Sequence, residues 1–215
     1  MLGCSRVTLW GLRTGIKTII TMYNKIKMIK IGKNISSFST YSCQPKTYYD
    51  LKKILKTRID NEGLDCDLND IDTSLIEGMD WLFAGSSFNG NISKWNVSNV
   101  KSMSHMFDRS KFMGDISNWD VSNVIHMHAM FKGSLFNGNI SNWDVSKVED
   151  MSEMFWGSQF NHDLSRWKPV SAKNMSFMFR ESNFNQDISN WNVSNVKRTV
   201  GMFIDCQIDV KNMPI

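Results

Sequence analysis

Four histidines, four cysteines and a periodic row of Asn and Asp are the side chains best suited to chemistry in this 215-residue chain. His126 and His128 flank Met127. On a helical segment, residues two apart point away from each other, so shared metal ligation is poor and a solvated surface role is the expectation. His105 and His162 stand alone. Cys4, Cys43, Cys66 and Cys206 show neither metal-ligand nor disulfide-framework spacing, so they read as free thiols. Asp67, Asn91, Asp115, Asn139, Asp163 and Asp187 fall at a fixed step of 24 residues. Stacked carboxylates could hold calcium, but no Gly-rich nonapeptide accompanies them, and a ladder of hydrogen-bonded turns is the preferred reading. The Asn-x-Ser triplets at Asn91, Asn96, Asn139 and Asn192 fall on the same period and read as turn residues before glycosylation acceptors. No Ser/His/Asp or Cys/His grouping, phosphate loop or carboxylate pair stands out. The expectation is a protein with no catalytic residue, no metal site and no cofactor.

The elements that would position these residues follow from the period itself. Trp95, Trp119, Trp143, Trp167 and Trp191 are spaced by 24 residues, as are Phe88, Phe112, Phe136, Phe160 and Phe184. The Met-Phe pairs keep the same step, from Met106-Phe107 to Met202-Phe203. Upstream, Leu64, Leu68, Ile71, Ile76, Met79, Leu82 and Phe83 fit the apolar columns, which gives six units over residues 64–207. Such a period signals a repeat architecture, in which no unit can bury its apolar face alone.

Within one unit two spacings alternate. Ile92, Trp95 and Val97 follow a strand-like L-x-x-L-x-L pattern, with Trp95 and Val97 on one face. Val100, Met103, Met106 and Phe107 lie on one face of a helical segment, and Ser98 is placed to cap it. The predicted fold is an α/β repeat solenoid, leucine-rich-repeat-like, with one short strand and one short helical segment per 24-residue turn. The Trp column is expected to point inward.

The pattern I-S-x-W-[DN]-V-S-[NK]-V-x-x-M-x-x-M-F, repeated over residues 64–207, resembles the BspA-like leucine-rich-repeat surface proteins. The resemblance implies a non-catalytic, adhesion-type module that binds a protein, such as a host or matrix protein, at the cell surface or in secreted form. On that fold the outward strand positions form a polar concave face: Lys94, Asn96, Asn118, Asp120, Asn142, Asp144, Arg166, Lys168, Asn190 and Asn192. The other reading is an intracellular structural or assembly scaffold with no dedicated small ligand. A binding face should vary from unit to unit while the core columns hold; these pairs vary only moderately.

The flanks differ in charge. Residues 1–49 carry eight Lys/Arg and no acid, hence +8, which leaves −4 for the remainder of a chain with net charge +4. A mildly acidic body argues against nucleic acid as a partner. Residues 1–46 form a basic leader, read as disordered or targeting, and are too interrupted by charge for a transmembrane span. Residues 47–63, with Leu51, Ile54, Leu55 and Ile59 on one face, predict an N-terminal capping helix. Residues 208–215 begin a further unit and are expected to cap the other end. The sequence is silent on oligomeric state.

Overall fold

The computed structural model describes residues 41–214. Among them are one α-helix, α1 (Tyr48–Glu62), and one short 3-10 helix, Val210–Asn212. No continuous strand is present among the described residues; bridge-type pairing between adjacent units is confined to isolated parallel pairs, such as Gly78 with Ser102 and Ser102 with His126, each 24 residues apart. The predicted α/β, leucine-rich-repeat-like solenoid is therefore incorrect. The 24-residue unit is a chain of consecutive tight turns.

Where a helix is predicted, the backbone amides alternate in destination. Met103, His105, Phe107 and Arg109 donate to the carbonyls of His126, His128, Met130 and Lys132 in the next unit, at 2.7–2.9 Å. The intervening Met106, Asp108 and Ser110 donate three residues back, to Met103, His105 and Phe107, at 3.1–3.2 Å. An α-helix needs every amide bonded four residues back. Here every second amide goes to a neighbour instead. The left-handed residues His105 (φ 56°) and Arg109 (φ 52°) break helical propagation within each turn.

Where a strand is predicted, the amides close within their own unit. The Trp95 amide donates to Ile92 O at 3.1 Å and the Val100 amide to Val97 O at 2.9 Å. Asn91 Oδ1 accepts the Ser93 amide and Asn96 Oδ1 the Ser98 amide. With those donors used locally, side chains make the links between units. The Trp119 indole N–H donates to Ile92 O at 3.2 Å, and Asn123 Nδ2 donates to Ser98 O at 2.9 Å. Each Trp from 95 to 191 repeats this indole bond to a carbonyl 27 residues earlier, so a buried polar atom is satisfied in every layer.

Aromatic columns fill the core. The rings of Phe88, Phe112, Phe136, Phe160 and Phe184 lie one above the next at 6.3–6.4 Å. Phe83, Phe107, Phe131, Phe155, Phe179 and Phe203 form a second column at 5.5–5.9 Å. Near-parallel rings offset in this way attract beyond the area they bury. The packing leaves no space at Gly114, where a Cβ would lie 2.7 Å from the Phe112 ring.

Helix α1 closes the first unit. Thr47 and Asp50 form a reciprocal capping box at its start, and the Gly63 amide bonds Ile59 O at its end. Leu51 and Leu55 enter the core, with Ile54 and Ile59 packed beside them. Arg58 ties the helix to the first unit through both carboxylate oxygens of Asp70, at 3.0 Å each, and through Asp67 O at 3.1 Å. Burial pushes the Asp70 carboxyl up, but hydrogen bonds from Ser42 and Arg58 and the Arg58 charge bring it below its ordinary value. Of the basic leader, residues 1–40 lie outside the described residues. Residues 41–46 run beside the first unit, with Cys43 O accepting the Asp72 amide at 2.8 Å.

Candidate functional site

All ten positions assigned to the concave face are exposed, and each pair flanks a buried Trp or its neighbour in successive turns. They do not form a strand face, because no strand exists there among the described residues. The expectation of an adhesion-type module built on a polar concave strand face is overturned by that finding. Many of these side chains serve the backbone. Asn96, Asp120, Asp144 and Asn192 accept the amide two residues on, at 3.0–3.1 Å. Asn190 Nδ2 donates to Ser165 O and Arg166 Nη1 to Asn142 Oδ1, linking units. Lys168 cannot accept such an amide, and beside Pro169 the turn is rebuilt with Val170 N–H bonded to Lys168 O at 2.8 Å. An open groove of about 480 Å³ lies here, lined by Asn142, Asp144, Arg166 and Lys168 among others.

A different face varies strongly. Trp81, His105, Ala129, Glu153, Phe177 and Gly201 occupy equivalent positions, all with φ between 51° and 63°. Six units thus carry six residue types at one position of left-handed backbone. The position three residues on reads Ala84, Asp108, Lys132, Trp156, Arg180 and Ile204, again six types. A left-handed L-residue costs about 1–2 kcal/mol, so packing does not select these side chains for backbone comfort.

The two variable columns interlock into a linked surface. Trp81 stacks on His105 at 3.7 Å. Lys132 Nζ meets Glu153 Oε2 at 2.5 Å and lies 3.9 Å from the centre of the Trp156 ring. Arg180 also lies over the Trp156 ring, 5.0 Å from its centre, and reaches Phe177 at 5.7 Å. The Trp156 indole donates to Glu181 Oε2 at 3.3 Å, which with Arg180 holds the Glu181 carboxyl below its ordinary value. Cations placed over an aromatic face are attracted by its ring quadrupole, which ties these side chains to one another. This cluster escaped the sequence reading because residues 100–107 were taken as helix. The signal was present: the rule that a binding face should vary, applied to these two columns, selects them.

A polar network that the sequence reading also missed borders this face. His105 Nδ1 pairs with Asp108 Oδ2 at 2.8 Å, His128 Nδ1 with Ser152 Oγ at 2.8 Å, and Ser152 Oγ with Asp150. It contains the residue types of a hydrolase triad in the wrong arrangement. Ser152 is buried and lies between the acid and the His, and the amides of Ser152 and Glu153 are already bonded to Asp150 Oδ1 and Ser176 O. No amide pair is left beside Ser152 to hold an oxyanion. Among the described residues no group of three or more His, Cys, Asp or Glu is placed to hold a metal ion.

Comparison with family models matches residues 50–135 and 108–213 to the family described as "Mycoplasma protein of unknown function, DUF285". The two overlapping stretches take in well over half of the chain. The chain belongs to this family. The resemblance to BspA-like leucine-rich-repeat surface proteins is corrected by this match and by the absence of a sheet among the described residues, and the cell-surface expectation loses that support with it. No curated protein and no solved structure matches the chain. Among the described residues no helix is long and apolar enough to cross a membrane.

Proposed function

We propose that this DUF285 chain is a non-catalytic binding protein whose partner, another protein, is recognised by the variable turn face around Trp156, Phe177 and Arg180. One observation carries the reading. In an array whose Phe, Met and Trp columns barely change, the two columns beginning at Trp81 and Ala84 change at every unit, and every member but Ala129 is at least partly exposed. Side chains that only space one unit from the next have no reason to differ six times over. Trp, Arg and aromatic residues held in fixed geometry are also the types that dominate binding energy at protein interfaces. Their rotamers are set by Lys132, Glu153 and Glu181 before any partner arrives, which lowers the cost of ordering on association.

The test is chemical cross-linking in the native source followed by mass spectrometry, with wild-type protein, Trp156→Ala with Arg180→Ala, and Arg166→Ala with Lys168→Ala. Wild type and the Arg166/Lys168 variant should capture the same protein, with recovery falling at least tenfold for the Trp156/Arg180 variant. Equal recovery by the Trp156/Arg180 variant would remove this face from consideration.

A further inference from the structure

The first unit departs from its own repeat at three positions, and the three meet in one place. Gly78 stands in a column that carries a side chain in the other units: Ser102, His126, Asp150, Asn174 and Arg198. Asp80 stands where those units have Ser104, His128, Ser152, Ser176 and Val200. Trp81 opens the left-handed column and is 52% exposed. Together with Tyr48 of α1, these residues line an open pocket of about 290 Å³. Ligand cavities run from about 300 to 1,000 Å³, so this one suits a single side chain or a small amine.

Its lining selects for charge. Asp80 Oδ1 accepts from Ser102 Oγ at 2.5 Å and from the Ser104 amide at 2.7 Å, while Oδ2 accepts no hydrogen bond among the described residues. A Cβ at Gly78 would lie 4.0 Å from that Oδ2, with no other non-neighbouring atom so near, so the missing side chain leaves the carboxylate accessible. His105 covers one face of the Trp81 indole, its ring centre 3.7 Å away. The indole and the Tyr48 ring supply two π-systems, whose faces attract cations. Two backbone carbonyls add to them. Ser102 O and Ser104 O point at the preceding unit and accept the Met79 and Trp81 amides at 2.9 and 3.0 Å. Their counterparts Gly78 O and Asp80 O point the same way, to the side closed by α1, and accept no amide among the described residues.

Two aromatic rings, a free carboxylate oxygen and two open carbonyls fit a ligand that is cationic and rich in donors. A primary ammonium has three N–H donors and no acceptor. A quaternary ammonium would use the rings and leave the carbonyls unmet. Positive charge already nearby does not fill the site. Lys52 Nζ lies 5.7 Å from the centre of the Tyr48 ring, but Lys52 is not part of the lining. The positive end of α1 is met by Asp50, whose carboxylate accepts the Thr47 amide.

We infer that Tyr48, Gly78, Asp80 and Trp81 form a site for a primary alkylammonium group, such as a lysine side chain of another protein. The site uses none of Trp156, Phe177 and Arg180, so it and the turn-face proposal can fail separately. The full chain, isotope-labelled, is titrated with Nα-acetyl-lysine N-methylamide, its trimethylated and norleucine counterparts, and n-butylammonium, and NMR follows the amides of Gly78 and Trp81. The lysine compound and n-butylammonium should give saturable shifts, with binding roughly tenfold weaker for the trimethylated and norleucine compounds. Both possible rankings of the first two uphold the site: tighter binding of the lysine compound places the ligand in a protein chain, and equal binding makes it a free amine. Asp80→Asn keeps the oxygen that Ser102 and Ser104 use and should weaken binding roughly tenfold. Gly78→Leu should abolish binding by filling the pocket, and Trp156→Ala should leave it unchanged. Absence of saturable shifts in the wild type overturns the inference. So does equal binding of the norleucine compound, which makes the pocket an apolar slot, or of the trimethylated one, which dispenses with the carbonyls. Shifts that appear only in Lys52→Ala overturn it as well, because they assign the pocket to the chain's own lysine. Loss of binding in Trp156→Ala does so by moving the ligand to the turn face.

Discussion

Asp115, Asp163 and Asp187 each spend a carboxylate oxygen on the amide two residues ahead, at 2.7–2.9 Å. Those amide bonds, helped by the Ser hydroxyls, hold all three carboxyls below the ordinary value of 3.8. A carboxyl whose folded value is depressed stabilises the fold above its unfolded value and loses that contribution as pH falls through the folded one. The array should therefore melt at a steady temperature from pH 7 to pH 5 and at progressively lower temperature from there towards pH 3. Asn already stands in this column at Asn91 and Asn139, where it accepts the same bond. Replacing Asp115, Asp163 and Asp187 together by Asn should keep the fold, lower the midpoint slightly at pH 7 and flatten the acid slope. Calorimetry across that pH range checks it; an unchanged slope would show that these carboxylates are not what acid attacks. The turn-ladder role of this column was legible from the alternation of Asp with Asn.

At the scale of the element, the sequence pattern misleads for an identifiable reason. Val100, Met103, Met106 and Phe107 are all buried, so the spacing i, i+3, i+6, i+7 does mark one inward face. Consecutive turns bonded three residues back place side chains inward at nearly the same steps as a helix, so hydrophobic periodicity alone cannot separate them. The left-handed residues decide it. That column carries Trp, His, Ala, Glu and Phe before it carries Gly, so the usual glycine marker of such a backbone is missing until Gly201. In the companion column Gly85, Gly133 and Gly157 alternate with Arg109, Glu181 and Asp205. Arg109 is solvent-exposed and its guanidinium only approaches Asp108 at 3.8 Å. Arg109→Gly removes left-handed strain of about 1–2 kcal/mol and adds unfolded-state entropy of about 0.5–1 kcal/mol. The variant should gain roughly 0.5–1 kcal/mol in denaturant unfolding. A loss of stability would mean that Arg109 contributes a contact that outweighs the strain.

For the molecule as a whole, each unit touches only its neighbours through the same set of ring contacts and amide bonds. Stability then approximates a sum of unit and interface terms. Deleting residues 112–135 removes one complete unit and rejoins equivalent positions. The shortened chain should fold, unfold in one cooperative step and melt lower than the parent. Deleting residues 112–123 alone would set the Trp column against the Phe column and should abolish folding. Circular dichroism melts and size-exclusion profiles distinguish these outcomes; if both deletions behave alike, the period is not the unit of packing. The variable face belongs to this scale too, since Trp156, Lys132 and Arg180 come from three different units and meet only once the units stack.

By itself the sequence determined the period, the inward columns of Phe, Met and Trp, and the capping helix from Thr47 to Gly63, because burial and capping depend on residue type at fixed spacing. Tertiary structure alone decided where each backbone amide goes. An amide carries no side-chain signature, and whether it closes a turn or reaches the next unit depends on a neighbour 24 residues away. That choice makes turns where a strand and a helix were expected. It also sets the variable column from Trp81 to Gly201 on left-handed backbone.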